Sequence, residues 1–129
     1  MRYGSPRSRI ARGYPGVISL AGVADLRRAY ELKLGGNVVD EFLPQPERDL
    51  PFASPIELLP TGMRTRLIHG TSDETVPLEI SRRYCEAAMH AGDDSKLIEI
   101  AGANHRDVMD PRSTYWPSVE AEILALLGS

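Results

Sequence analysis

Three short apolar runs recur along the chain and predict buried strands. They are GVISLAG (16–22), RLIHG (66–70) and KLIEI (96–100). Nearly continuous apolar runs of this length are typical of strands that are covered on both faces of a parallel sheet. The pattern therefore predicts a small sheet whose strands run mostly parallel.

Between and after these runs, apolar residues recur at helical spacing and predict three helices. Proline, aspartate and glycine mark their ends, as capping chemistry requires. The predicted bounds are Asp25 to Gly35, Pro77 to Gly92 and about Pro117 to Gly128. The buried stripe of the last helix is predicted to hold Val119, Ile123, Leu126 and Leu127.

The segment between the first helix and the second strand is rich in proline. Residues 36–53 are predicted to form an irregular surface excursion. SPIELLP (54–60) is predicted to form a short helix, with Ser54 as its N-cap and Glu57 completing a capping box.

Strands and helices alternate, which predicts an α/β fold of about three mostly parallel strands with flanking helices. In such sheets, ligand chemistry gathers in the loops at the carboxyl ends of strands. Asp73 follows the second strand, and His105 follows the third. One crossover separates them, so both loops are expected at the same sheet edge. A carboxylate placed there can orient an imidazole and stabilise its protonated form.

Composition excludes several classes of function. The chain has 129 residues and a formal net charge of −3, so no overall field favours nucleic acid or a membrane surface. Four arginines make residues 1–15 a basic segment, which is typical of a solvated, irregular tail. The single cysteine excludes an intrachain disulfide, and no signal peptide or apolar span is visible. These features predict a cytoplasmic protein with no cofactor and no metal site.

Two motifs carry a resemblance to a known family. LIHGTSDETVP (67–77) followed by AGANH (101–105) resembles the C-terminal part of an α/β-hydrolase, in the esterase and prolyl-oligopeptidase-like branch. The resemblance covers residues 16–129. It implies that Asp73 is the acid and His105 the base of a catalytic triad. It also implies a small ester, amide or peptide substrate.

The sequence departs from that family at the nucleophile. In the family, a G-x-S-x-G turn precedes the acid and the histidine, and these 129 residues contain no such motif. The serines ahead of Asp73 lack a strand-turn-helix context. They are Ser5, Ser8, Ser19, Ser54 and Ser72. The nucleophile and oxyanion hole are therefore expected outside these residues, which predicts an isolated chain without activity.

Two explanations of this departure stay open. The chain is either a truncated product or subunit of a serine hydrolase, or a non-catalytic remnant that acts as a protein-interaction module. In both cases the strand at residues 17–21 is expected to have an open edge, which can pair with a second copy or another polypeptide.

The remaining polar candidates are interpreted as structural. His69 is expected to be scaffolding on its strand, and His90 to lie near a helix C-terminus. Ser72 is too close to Asp73 in sequence to act as its nucleophile through an intervening imidazole. Asp107 and Asp110 do not form a recognisable calcium loop.

Overall fold

The computed structural model describes residues 15–36, residue 43 and residues 45–128. Apart from Pro15, the predicted basic segment lies outside the described residues, as does part of the predicted proline-rich excursion. The elements are β1 Val17–Leu20, α1 Leu26–Glu31, α2 Pro46–Ala53, a 3-10 helix Pro55–Leu58, β2 Thr65–Gly70, α3 Leu78–His90, β3 Ser95–Ile100 and α4 Trp116–Leu127.

The sheet has three parallel strands in the order β1-β2-β3, with β2 in the centre. In the register, Leu67 of β2 pairs with Ser19 of β1 and with Leu97 of β3. Leu67 and Ile68 are both fully buried, because each faces a different layer of helices. The predicted α/β fold with three parallel strands and flanking helices is confirmed.

The core lies on both faces of the sheet. On one face, Ile68 and Ile100 belong to a cluster with Val119 of α4. On the other face, Leu67 belongs to a cluster with Tyr84 and Cys85 of α3. Both faces of β2 are therefore packed against helices, and the loop that carries Asp73 leaves the carboxyl end of this covered strand.

The predicted irregular excursion is wrong in its second part. Residues Pro46–Ala53 form α2, and Leu50 in its middle is fully buried against Ala29 of α1. Pro46 stands in the first turn, where its missing amide hydrogen costs nothing. Burial of Leu50 against another helix stabilises the segment, and this contact is invisible in the local sequence.

The predicted capping box at Ser54 is also wrong. Residues Pro55–Leu58 form a 3-10 helix, and the Ser54 side chain makes no capping bond to it. Its hydroxyl instead accepts a hydrogen bond from the amide of Leu26, at 2.9 Å. Ser54 thus stabilises the N-terminus of α1. The N-cap of α1 is Asp25, as predicted, and its carboxylate accepts a hydrogen bond from the amide of Arg28.

The last helix has a narrower buried stripe than predicted. Val119 and Leu126 are buried and Ile123 is partly buried, but Leu127 is 60% exposed. Residues 119, 123 and 126 lie on one stripe of the helix surface, and residue 127 lies beyond its edge, about 100° round the helix from residue 126. Among the described residues, none of the helices is long and apolar enough to cross a membrane.

Candidate catalytic site

Asp73 and His105 meet at the carboxyl-end edge of the sheet. Asp73 lies in the loop after β2, and His105 lies in the loop after β3. His105 Nδ1 is 2.8 Å from Asp73 Oδ2, so the ring donates a hydrogen bond to the carboxylate. The two residues that the sequence singled out are therefore brought together by the parallel order of β2 and β3.

The Asp73 carboxylate is buried and fully hydrogen-bonded. Its side chain is 0% exposed, and Oδ1 accepts hydrogen bonds from the amides of Thr75 and Val76, both at 2.8 Å. Burial acts to raise the pKa of this carboxyl, but the hydrogen bonds from Val76, His105 and Thr75 outweigh it. The pKa of Asp73 therefore lies below its ordinary value, and the group is ionised at neutral pH.

An ionised Asp73 determines which nitrogen of His105 carries the proton. A carboxylate can only accept, so the hydrogen is on Nδ1 and the lone pair is on Nε2. The His105 side chain is 30% exposed and borders an open cavity of about 460 Å³. The cavity is lined by Ser72, Glu74, Thr75, Asn104, His105 and Arg106. A half-buried imidazole held in this tautomer can take a proton from a group that enters the cavity.

Hydrogen bonds directly join the acid loop, which follows β2 and carries Asp73, to the histidine loop, which follows β3 and carries His105. The amide of Thr71 donates to the Ile100 carbonyl at 3.1 Å, and the amide of Ser72 donates to the Ala103 carbonyl at 2.9 Å. The amide of Gly102 donates to Thr71 Oγ1 at 2.8 Å. These bonds set the separation of the two loops. No sequence pattern had singled out Thr71 for this contact.

The histidine loop is also closed on itself. The amide of Asn104 donates to Asp107 Oδ2, and the amide of Asp107 donates to Asn104 Oδ1, both at 2.9 Å. Val108, which follows, is fully buried in the core. His105 therefore lies in a turn that is closed by the two hydrogen bonds between Asn104 and Asp107.

The remaining polar candidates lie at separate places in the fold. His69 is fully buried on β2, beside Asp73 rather than at the cavity. His90 is exposed in the last turn of α3, and Ser72 is exposed at the cavity wall. Within the described ranges, no cluster of three or more acidic, histidine or cysteine side chains could hold a metal ion.

In comparisons with known proteins, no protein-family model and no curated protein matches this chain. Solved structures of an esterase from the planctomycete Thermogutta terrifontis do match. Its propionate-bound form is 24% identical, with a TM-score of 0.58 over 88% of this chain and 42% of that chain. The form phosphoramylated by tabun is 26% identical, with a TM-score of 0.57 over 70% and 35%.

A third form, phosphonylated by sarin, is 28% identical, with a TM-score of 0.53 over 69% of this chain and 36% of that chain. The chain thus spans less than half the length of the esterase that it matches. Its three parallel strands and flanking helices have the fold of part of a hydrolase-like α/β protein.

Proposed function

We propose that this chain is the part of an α/β serine hydrolase that supplies the catalytic base and the carboxylate that orients it. The observation that carries the proposal is the 2.8 Å hydrogen bond between His105 Nδ1 and the buried Asp73 carboxylate. The similarity to an esterase favours carboxylic esters as substrates. Amide and peptide bonds, and the prolyl-oligopeptidase-like branch, remain part of the same proposal.

The chemistry follows from the geometry of the pair. A serine hydroxyl attacks the ester carbonyl while His105 Nε2 takes its proton, and Asp73 stabilises the resulting imidazolium. His105 then returns the proton to the leaving alcohol, and an acyl-enzyme remains. Water then attacks the acyl-enzyme carbonyl while His105 Nε2 takes its proton, and the proton passes to the serine oxygen as the carboxylic acid leaves. Because the chain contains no G-x-S-x-G motif, the serine and the oxyanion hole are proposed to come from a segment outside residues 1–129.

Complementation tests the proposal. The chain alone is expected to leave p-nitrophenyl propionate intact. The complemented hydrolase is a chimera that joins this chain to the part of the Thermogutta esterase that the chain does not match. This chimera is expected to hydrolyse the ester. The readout is release of p-nitrophenol, and the control is the esterase part without this chain. A folded chimera that contains the G-x-S-x-G turn but shows no turnover would contradict the proposal.

The edge of the sheet supports a second candidate, a module that binds another polypeptide. In the part of the chain that the structure describes, β1 pairs only with β2. The amides of Val17 and Ala21 donate toward β2, so by alternation the amides of Ile18 and Leu20 point away from it. Unpaired backbone groups of this kind are a template for strand addition.

Apolar surface lies beside the same edge. Val17 is 40% exposed, and a cavity of about 230 Å³ borders this strand. Its walls are mostly apolar and include Val17, Val23, Leu67 and Tyr84. An added strand from a second copy of the chain could cover this surface as it pairs with β1, which would stabilise the complex by burial.

Charge at the edge is expected to weaken self-association. We expect Val17→Lys to raise the dimer dissociation constant about tenfold or more, because a lysine on an edge strand opposes strand addition. Sedimentation across a range of concentrations measures it. Phe52→Lys is the control, since Phe52 is 77% exposed on α2. A monomeric wild-type chain at all concentrations, or an equal effect of both variants, would contradict pairing through β1.

A further inference from the structure

We infer that His69 is a positioning residue for the Asp73–His105 pair and not only a buried scaffold on β2. The inference rests on the proposed function, because it assigns a role within the same site. His69 is 0% exposed, and a buried histidine needs a partner for each ring nitrogen. The contacts of those two nitrogens carry the argument.

The partners of His69 determine its tautomer. Nε2 is 2.7 Å from the carbonyl oxygen of Val76, and Nδ1 is 2.7 Å from Ser81 Oγ. A carbonyl oxygen can only accept a hydrogen bond, so Nε2 carries the proton. Nδ1 then accepts from the hydroxyl of Ser81, which is fully buried on α3.

This tautomer places a donor edge beside the acid. His69 Nε2 is also 3.3 Å from Asp73 Oδ2, the oxygen that accepts from His105. The hydrogen of this N–H group is bonded to the Val76 carbonyl, so the positive end of the N–H dipole lies near the carboxylate without donating to it. A positive dipole end next to a buried carboxylate stabilises the ionised form.

Val76 links His69 to the other carboxylate oxygen. Its carbonyl binds His69 Nε2, and its amide donates to Asp73 Oδ1 at 2.8 Å. His69 thus binds Val76, whose amide binds Asp73 Oδ1, and His69 itself lies next to Asp73 Oδ2. Two histidines protonated on opposite nitrogens, Nε2 of His69 and Nδ1 of His105, converge on one carboxylate. This arrangement fixes the carboxylate in the direction that His105 requires.

The tautomers can be measured in the chain without substitution. Long-range ¹⁵N–¹H correlation spectra at neutral pH are expected to show His69 protonated on Nε2 and His105 protonated on Nδ1. The exposed His90 serves as the internal reference for an unconstrained ring. Protonation of His69 on Nδ1 would overturn the inference, because the N–H would then face Ser81 and leave Asp73.

Three variants separate positioning from stability. His69→Leu removes the donor, and His69→Gln keeps an amide donor near the position of Nε2. Leu67→Ala is the matched control, since Leu67 lies two residues away on β2 and packs on α3 as well. A ¹³C titration of the Asp73 carboxyl is expected to give a raised pKa in His69→Leu only, with the wild-type value restored in His69→Gln.

In the complemented hydrolase, His69→Leu is expected to lower kcat about tenfold with KM unchanged, because substrate does not contact His69. The inference fails if His69→Leu leaves the pKa of Asp73 at its wild-type value, or if Leu67→Ala raises it equally. Absence of turnover in the unsubstituted hydrolase would contradict only the proposed function, since the titration requires no substrate.

Discussion

Replacing His105 by alanine is expected to lower kcat for ester hydrolysis by about 10⁴-fold in the complemented hydrolase. In the proposed mechanism the imidazole takes the serine proton, and among the described residues no other basic side chain is hydrogen-bonded to Asp73. Binding of the ester is expected to change little, so KM should stay within a few-fold. Initial rates on p-nitrophenyl propionate measure both constants.

His90→Ala is the matched control for this prediction. His90 is exposed at the end of α3, and its replacement is expected to leave kcat unchanged. His105 is part of a surface loop with its side chain 30% exposed, so the His105→Ala variant is expected to fold. Equal rates for His105→Ala and the unsubstituted protein, with both folded, would remove His105 from the mechanism.

The strands and the site pair could be predicted because both depend on local patterns and simple topology. Short apolar runs predicted each strand to within two residues of its observed bounds. Parallel strands that are neighbours in the sheet have their carboxyl ends at one edge. The contact between Asp73 and His105 followed from that rule, while their catalytic role stays a prediction.

The contacts that hold the pair were not predictable from the local sequence. Thr71 contacts Gly102 of the histidine loop, and His69 contacts Ser81 of α3. Each contact joins elements whose spacing depends on the packing of whole layers. His69 and Asp73 are four residues apart across a strand end, and their closeness depends on how the loop turns back.

The errors in the fold have the same origin. Leu50 is buried because α1 lies against α2, and Ser54 serves α1 rather than its own 3-10 helix. Proline content and capping patterns describe a segment by itself. They contain no information about packing against a distant segment of the chain. In both cases the contact with α1 determined the observed structure.

Replacing Gly70 by alanine is expected to damage both stability and catalysis, because Gly70 at the end of β2 lies directly against the backbone of the loop that carries His105. A Cβ at residue 70 would overlap the backbone carbonyl of Ala103, which cannot move aside as a side chain could. Gly70 does not have a positive φ, so the strand conformation itself suits alanine. The expected cost is therefore steric, about 1–3 kcal/mol in the free energy of unfolding.

The same displacement acts on the site. Ala103 accepts from the amide of Ser72, next to Asp73, and lies two residues before His105. Pushing the loops apart lengthens the hydrogen bond between the pair, and a misplacement of about 1 Å is expected to lower kcat about 10²-fold. Urea unfolding measures the first effect and ester hydrolysis by the complemented protein the second.

Gly128→Ala is the control for the Gly70 substitution. At position 128 φ is −87°, and an added Cβ would meet only the Leu124 carbonyl at 3.4 Å, so little change is expected. A Gly70→Ala protein with wild-type stability and kcat would show that the loops can separate without moving Asp73 from His105. The hydrogen bonds that join the loops would then not determine the geometry of the pair.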